Sequence, residues 1–166
     1  MQLQDFFDYK NKLMEDILTE KEIVSLINEE VDLKNASSLA YSQVFPYEYI
    51  PQTVQEGYTF VCFDVDISSA VGKTFYIPTI YVWVFSHRSR LRLPKGGVRP
   101  DKLCSEICKK INGSRFYGIG ELRLTSAKRF APITDYQGKL LTFNTREFSK
   151  VFDGKRQIPS NRKAGV

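Results

Sequence analysis

Hydrophobic and polar positions divide this chain into stretches of different period. Leu3, Phe6, Phe7, Leu13, Met14, Ile17 and Leu18 recur at helical spacing, so a helix is predicted over Leu3–Leu18. Thr19-Glu-Lys-Glu22 has the form of a capping box, in which a hydroxyl and a carboxylate three residues later satisfy each other's unpaired amides. The helix it would start runs to about Glu29, with Ile23, Leu26 and Ile27 on one face. Tyr58–Ser68 switches to a period of two. Val61, Phe63, Val65 and Ile67 face one way, and Phe60, Cys62, Asp64 and Asp66 the other, which reads as a half-buried strand with one wet face.

Phe75–Ser86 is apolar on both faces. Phe75, Ile77, Tyr81, Trp83 and Phe85 lie on one side, and Tyr76, Ile80, Val82 and Val84 on the other. A strand of that kind belongs in the middle of a sheet covered twice. In so short a chain the second cover could come from another subunit, so Tyr81, Trp83 and Phe85 are candidates for core or subunit interface. Pro78 removes a ladder donor, so the regular strand is expected to begin after it or to bulge there.

Pro100–Ile111 reads as a helix. Proline stands at its start, Asp101 near the positive end of the dipole, Lys109 and Lys110 near the negative end, and Asn112-Gly113 at the stop. Leu103, Ile107 and Ile111 form its apolar stripe. Ile119–Ser126 and Lys139–Glu147 read as two further strands, with Asp135-Tyr-Gln-Gly138 as turn chemistry in their connection. The class is therefore α+β: a small, mainly antiparallel sheet of about four strands, one packed helix and N-terminal helices. Residues 1–152 are expected to form a single domain, with a helical part at 1–31, an aromatic arm at 32–57 and a sheet-and-helix core at 58–148. Residues 153–166 would be a flexible basic tail.

The arm has no sustained period, yet it holds Tyr41, Phe45, Tyr47, Tyr49 and Ile50. A polar linker would not be so aromatic, and long structured loops are usually functional or packed against something. It is expected to lie on its own domain or on a neighbouring copy, which makes Tyr41, Phe45, Tyr47 and Tyr49 candidate interface residues.

Charge sharpens this picture. The net charge is +5 over 166 residues, but residues 1–57 carry 4 Lys/Arg against 11 Asp/Glu, and residues 58–166 carry 20 against 8. An acidic part followed by a basic part argues about association: nucleic acid, or contacts between neighbouring copies. The loop Ser86–Pro100 concentrates Arg88, Arg90, Arg92, Lys95 and Arg99 around Pro94, Gly96 and Gly97, with no nearby carboxylate in the sequence. It reads as a mobile cationic loop. It lacks the interleaved aromatics of a single-strand-binding surface and the Gly-rich pattern of a phosphate-cradling loop.

Little chemistry competes with an interaction role. No apolar run reaches the roughly 18 residues that span a bilayer, and Met1-Gln-Leu-Gln-Asp5 does not open like a signal peptide, so the chain is expected to stay in a cytoplasm without membrane contact. Cys62, Cys104 and Cys108 cannot all pair and read as free thiols. With His87 two of them would give three metal ligands at no recognised spacing, so no metal and no cofactor are expected. Asp64 and Asp66 fit the exposed edge of a strand better than an acid/base pair. His87, the single histidine, supports no triad and reads as a surface residue at a strand end. Pro100-Asp101 with Glu121-Leu-Arg123 faintly echoes a nuclease metal site, but an arginine cannot shuttle the proton that a lysine would. An enzyme is not expected.

The order of elements resembles the tail terminator and tail completion proteins of tailed bacteriophages, and related head–tail joining proteins. The resemblance covers roughly Tyr58–Glu147. It rests on Ile80-Tyr-Val-Trp-Val-Phe-Ser86, the Arg-Pro-Asp-x-Leu-x-x-x-Ile-x-x-x-Ile run from Arg99 to Ile111, Gly118-Ile-Gly-Glu-Leu-Arg-Leu124, and Leu140-Leu-Thr-Phe-Asn-Thr-Arg-Glu-Phe148. It implies a structural virion protein, assembled in a bacterial host cytoplasm, that forms a homo-oligomeric ring at the head–tail junction, a hexamer being one closure. Its implied partners are other copies, the tail tube protein and a head connector or adaptor protein. Arg88, Arg90, Arg92, Lys95 and Arg99 would then face a lumen with passing DNA, or an acidic partner surface. The alternative is a nucleic-acid-binding module that uses the basic region 86–115.

Overall fold

The computed structural model describes residues 3–71, 75–115 and 120–145. Two helices open the chain, α1 (Leu3–Thr19) and α2 (Lys21–Ile27). A 3-10 turn at Ala36–Leu39 and a two-residue strand, β1 (Val44–Phe45), lead to the long strands β2 (Thr59–Val71) and β3 (Phe75–His87). A second 3-10 turn (Arg88–Arg90), helix α3 (Arg99–Ile111) and strands β4 (Leu122–Phe130) and β5 (Tyr136–Thr145) complete the order. The fold is α+β. Its sheet runs β1-β2-β3-β5-β4, with only β1 parallel to its neighbour. The strand beyond the expected four is β1, and it comes from the aromatic arm.

The three helices share one face of the sheet. Val61, Phe63 and Val65 of β2 and Ile80, Val82 and Val84 of β3 meet Leu13 and Ile17 of α1, Ile23 and Ile27 of α2, and Leu103 and Ile107 of α3, all buried. The opposite face carries a second, aromatic core of Phe45, Phe60, Cys62, Phe85 and Tyr136. This corrects the expected wet face of β2. Phe60 and Cys62 are fully buried, and only its later positions, Asp64 and Asp66, reach solvent. The β3 strand is thus covered on both sides near its C-terminal end by its own chain.

Several local expectations are revised. Thr19 does not cap α2, because it is the last residue of α1 and its hydroxyl donates back to the Glu15 carbonyl at 2.8 Å. The N-cap position falls to Glu20, whose side chain makes no capping bond. Of the two alternatives at Pro78 the bulge is the one found: β3 runs through Pro78, and its pairing with β2 shifts register there, between Ile67 and Ser69. Pairing of β3 with β5 starts one residue later, at Thr79↔Asn144, so Pro78 replaces no donor of that ladder.

Gly138 is in strand β5, not in a turn, and lies between Phe85 and Phe130. A Cβ there would overlap the Val84 carbonyl oxygen and the Phe85 Cα. The glycine lets two backbones approach, and the connection falls at 131–135. The expected strand ends at Ile119 and at Arg146–Glu147, and the tail 153–166, lie outside the described residues.

Candidate interaction surfaces

The arm lies on its own chain. The main chain of β1 pairs with Val61 and Cys62. Phe45 then stacks on Tyr49 with centroids 4.0 Å apart, and both tilt against Phe60. Tyr136, fully buried, pins the segment further along. Its hydroxyl donates to the Gln55 carbonyl at 3.0 Å and accepts from the Gln55 amide at 2.8 Å. The Cys62 thiol reaches the Tyr49 carbonyl at 3.7 Å. Gln43 is the polar node at the arm's root. Its Nε2 donates to the Thr59 carbonyl at 3.0 Å, and its Oε1 accepts from Asn28 at 3.0 Å.

The candidate interface residues therefore separate. Phe45 and Phe85 are internal, which makes them part of the chain's own core. Tyr41 and Tyr47 stand out, 65% and 45% exposed, with Ile50, Val54 and Tyr58 also exposed nearby in the chain. Tyr41 also holds φ +58°, a left-handed conformation that costs a bulky residue energy. Tyr49 is half-buried in the stack. Tyr81 and Trp83 stack on each other at 5.8 Å and are half-buried, Trp83 against the aromatic core. The register puts Thr142 and Leu140 beside them on β5, and Ser126 and Lys128 beyond on β4. Arm and aromatic core close one half of this sheet face and leave the other half open.

The basic loop is a built structure. Arg99, only 2% exposed, is its anchor: Nε donates to the Arg90 carbonyl at 2.9 Å, Nη1 to the Leu26 carbonyl at 3.0 Å, and Nη2 to the Glu29 carboxylate at 2.7 Å. Arg90 approaches the same carboxylate at 3.5 Å, and Arg88 meets Asp135 at 3.3 Å. Arg92 and Val98 form an isolated antiparallel bridge across the loop. The expectation of five uncompensated cations is corrected, because the carboxylates come from Glu29, just after α2, and from Asp135 in the β4–β5 connection. Arg92 and Lys95, both exposed, have no ion-pair partner among the described residues. Nor do the exposed Lys128 and Arg129 of β4, a cationic pair that the sequence reading did not single out. A basic dipeptide late in an amphipathic strand was the available signal.

The other chemistry-bearing side chains have structural roles. His87 is buried, caps the 3-10 turn through Nδ1, 3.3 Å from the Ser89 amide and 2.8 Å from its hydroxyl, and packs edge-on against Tyr136. Its expected surface position is corrected by that cap. Burial pushes the Cys62 and Cys104 thiols up to about 12, so neither is a thiolate at neutral pH. Asp64 pairs with Lys10 of α1 at 2.6 Å. Among the described residues no group of three or more His, Cys, Asp or Glu could hold a metal ion. No described helix is long and apolar enough to cross a membrane.

Comparison with known proteins adds three findings. The model of the family described as YomW matches residues 11–145. No curated protein matches the chain. Among solved structures, a chain of the "Virion of native gene transfer agent (GTA) particle" is similar at 14% identity, over 80% of this chain and 88% of that one, with a TM-score of 0.49.

Proposed function

We propose that this chain, which belongs to the YomW family, is a structural virion protein that works as a homo-oligomeric ring at a phage head–tail junction, capping the tail tube and joining it to the head connector. The observation that carries this reading is the half-open aromatic face of β3. Tyr81 and Trp83 are stacked and still partly in water, while Ile80, Val82, Val84 and Phe85 of the same strand are fully buried. A second protein surface over them would finish the burial that the chain's own arm leaves undone. The acidic N-terminal and basic C-terminal parts suit copies that meet head to tail, since such contacts close into rings. The resemblance of the 58–147 pattern to terminator and completion proteins supports a position at the head–tail junction. In this reading the protein binds and positions, and catalyses nothing.

The rival, a nucleic-acid module using residues 86–115, loses much of its support because Arg99, Arg90 and Arg88 face partners within the chain. Arg92 and Lys95 remain for non-specific phosphate contact with passing DNA. Sedimentation of the purified chain, alone and with the tail tube and connector proteins, tests the choice. A ring or partner-driven assembly is expected, its partner-driven part weakened in Trp83→Ala. A monomer that joins none of them but binds DNA with a steep salt dependence would favour the rival.

A further inference from the structure

The sheet ends in two edges that match each other. On one side β1 covers β2 only at Val61 and Cys62, so from Phe63 onward β2 has no strand beside it among the described residues. On the other side β4 pairs, among the described residues, with β5 alone. The hydrogen bonds show which main-chain groups face outward. The Val61 amide donates to the Gln43 carbonyl at 2.9 Å, and the Val65 amide to its neighbour Asp64's Oδ1 at 2.7 Å. Odd-numbered residues of β2 therefore point outward over this stretch.

On β4 the Leu122 and Leu124 amides point outward, to the Ser114 carbonyl and Asn112 Oδ1. The register shift between Leu124 and Ser126 then resets the alternation. Beyond it Ala127 and Arg129 point outward, and nothing among the described residues bonds to their main-chain groups.

Three successive antiparallel steps make β2 and β4 run opposite ways. A second copy placed alongside without being turned over therefore brings its β4 antiparallel to this β2. Outward residues must oppose outward residues, so Ala127 and Arg129 meet Phe63 and Val65, or Val65 and the position after Asp66. Either register sets Lys128 directly opposite Asp64 or Asp66 on the same face of the sheet, because Lys128 shares the face of Leu140 and Trp83, as do both aspartates.

We infer that copies of this chain join edge to edge, with β4 (Ser126–Phe130) of one extending the sheet of the next at β2 (Phe63–Asp66), and with Lys128 paired to Asp64 or Asp66 across the seam. This contact rests on the ring reading and specifies it. In the isolated chain the β2 edge is blunted: Asp64 occupies the Val65 amide and Lys10, as edge strands are commonly protected. Pairing replaces these with a main-chain acceptor and Lys128. The open Tyr81–Trp83 face of each copy would then join its neighbour's in one continuous band.

The test is sedimentation velocity on the full chain over a wide concentration range, with Lys128→Glu, with Asp64→Lys/Asp66→Lys, and with an equal mixture of the two. Lys128 is exposed and has no ion-pair partner among the described residues, so its substitution leaves the fold intact. Each variant alone should dissociate at concentrations where the unaltered chain assembles, the contact weakening by about tenfold. The mixture should reassemble, because every seam then joins opposite charges. Amides of Ala127 and Arg129 should exchange slowly in the assembly and fast in the dissociated variants. An assembly that ignores both variants, with Ala127 and Arg129 exchanging fast, overturns the edge contact and leaves the ring. A chain monomeric throughout overturns the contact and self-assembly together.

Discussion

The two faces of the sheet are closed by different means. On the helix side, aliphatic residues at regular spacing meet a layer of three helices, and burial is complete from Leu13 through Val82 to Ile107. On the arm side, aromatic rings from an irregular segment are stacked and tilted against Phe60 and Phe85, and burial stops at Trp83. A helix is a rigid ridge that covers as far as it runs. The arm must hold each of its turns by specific bonds, and its cover ends where those bonds end. The arm side is therefore where this fold has surface left to offer.

The largest test of that contrast compares two phenylalanines. Phe143 is fully buried on the helix side and Phe85 fully buried on the arm side. Both Phe→Ala variants should lose about 3–5 kcal/mol by denaturant unfolding. A much smaller loss for Phe85→Ala would mean that the arm collapses into the space, and that its packing is looser than its stacked rings indicate.

The polar clamps come next. Arg99 ties α3 to α2 and to its own loop through three hydrogen bonds. Replacement by methionine keeps the apolar stem but leaves the Leu26 and Arg90 carbonyls without this donor, at about 2–4 kcal/mol. The variant should also free the 88–98 loop to proteolysis. Unchanged melting and cleavage would remove Arg99 as the anchor of the loop.

Tyr136→Phe is the matching test on the arm side. The ring stays, and only the two bonds to Gln55 are lost, so the stability cost should be about 1–2 kcal/mol. Cleavage should concentrate around Gln55. Cleavage as slow as in the unaltered chain would mean that the aromatic stack alone holds the arm.

These residues also mark what the chain's pattern revealed. The two apolar faces of β3 from Ile80 to Phe85 and the stripe of α3 were legible because they depend on local period alone, while the side chains of Phe75, Tyr76 and Ile77 lie outside the described ones. The arm's packing was half legible: its aromatics required a surface, but nothing local chose between its own domain and a neighbour. Arg99 and His87 were misread because their burial depends on Glu29 and on Tyr136, far away in sequence. Gly138 was misread for the same reason, since an Asp-x-x-Gly turn signal cannot reveal a backbone approach made by β3. The edge pair Lys128 and Asp64 was invisible until topology set their strands at opposite ends of one sheet.

The smallest effect separates the faces by pH. The arm-side clamp, Tyr136 with Gln55, has no carboxylate, whereas the helix-side clamp ends on Glu29. Its hydrogen bond to Arg99 holds the Glu29 carboxyl below its ordinary value, which is about 4.3. A carboxylate depressed in the folded state stabilises above the unfolded value, and that contribution disappears as pH falls through the folded one. Glu29's side chain is 48% exposed, so solvent screens the pair and the change in Tm is small. Glu106 and Glu121 are lowered by their own Lys and Arg neighbours and titrate in the same direction. The informative quantity is therefore a difference. Between neutral pH and the acid end of the glutamate range, the unaltered chain should lose slightly more stability than Arg99→Met, while Tyr136→Phe should follow the unaltered chain. Identical pH profiles for the unaltered chain and Arg99→Met would mean that the Arg99–Glu29 pair adds nothing beyond the two carbonyl bonds that Arg99 already makes.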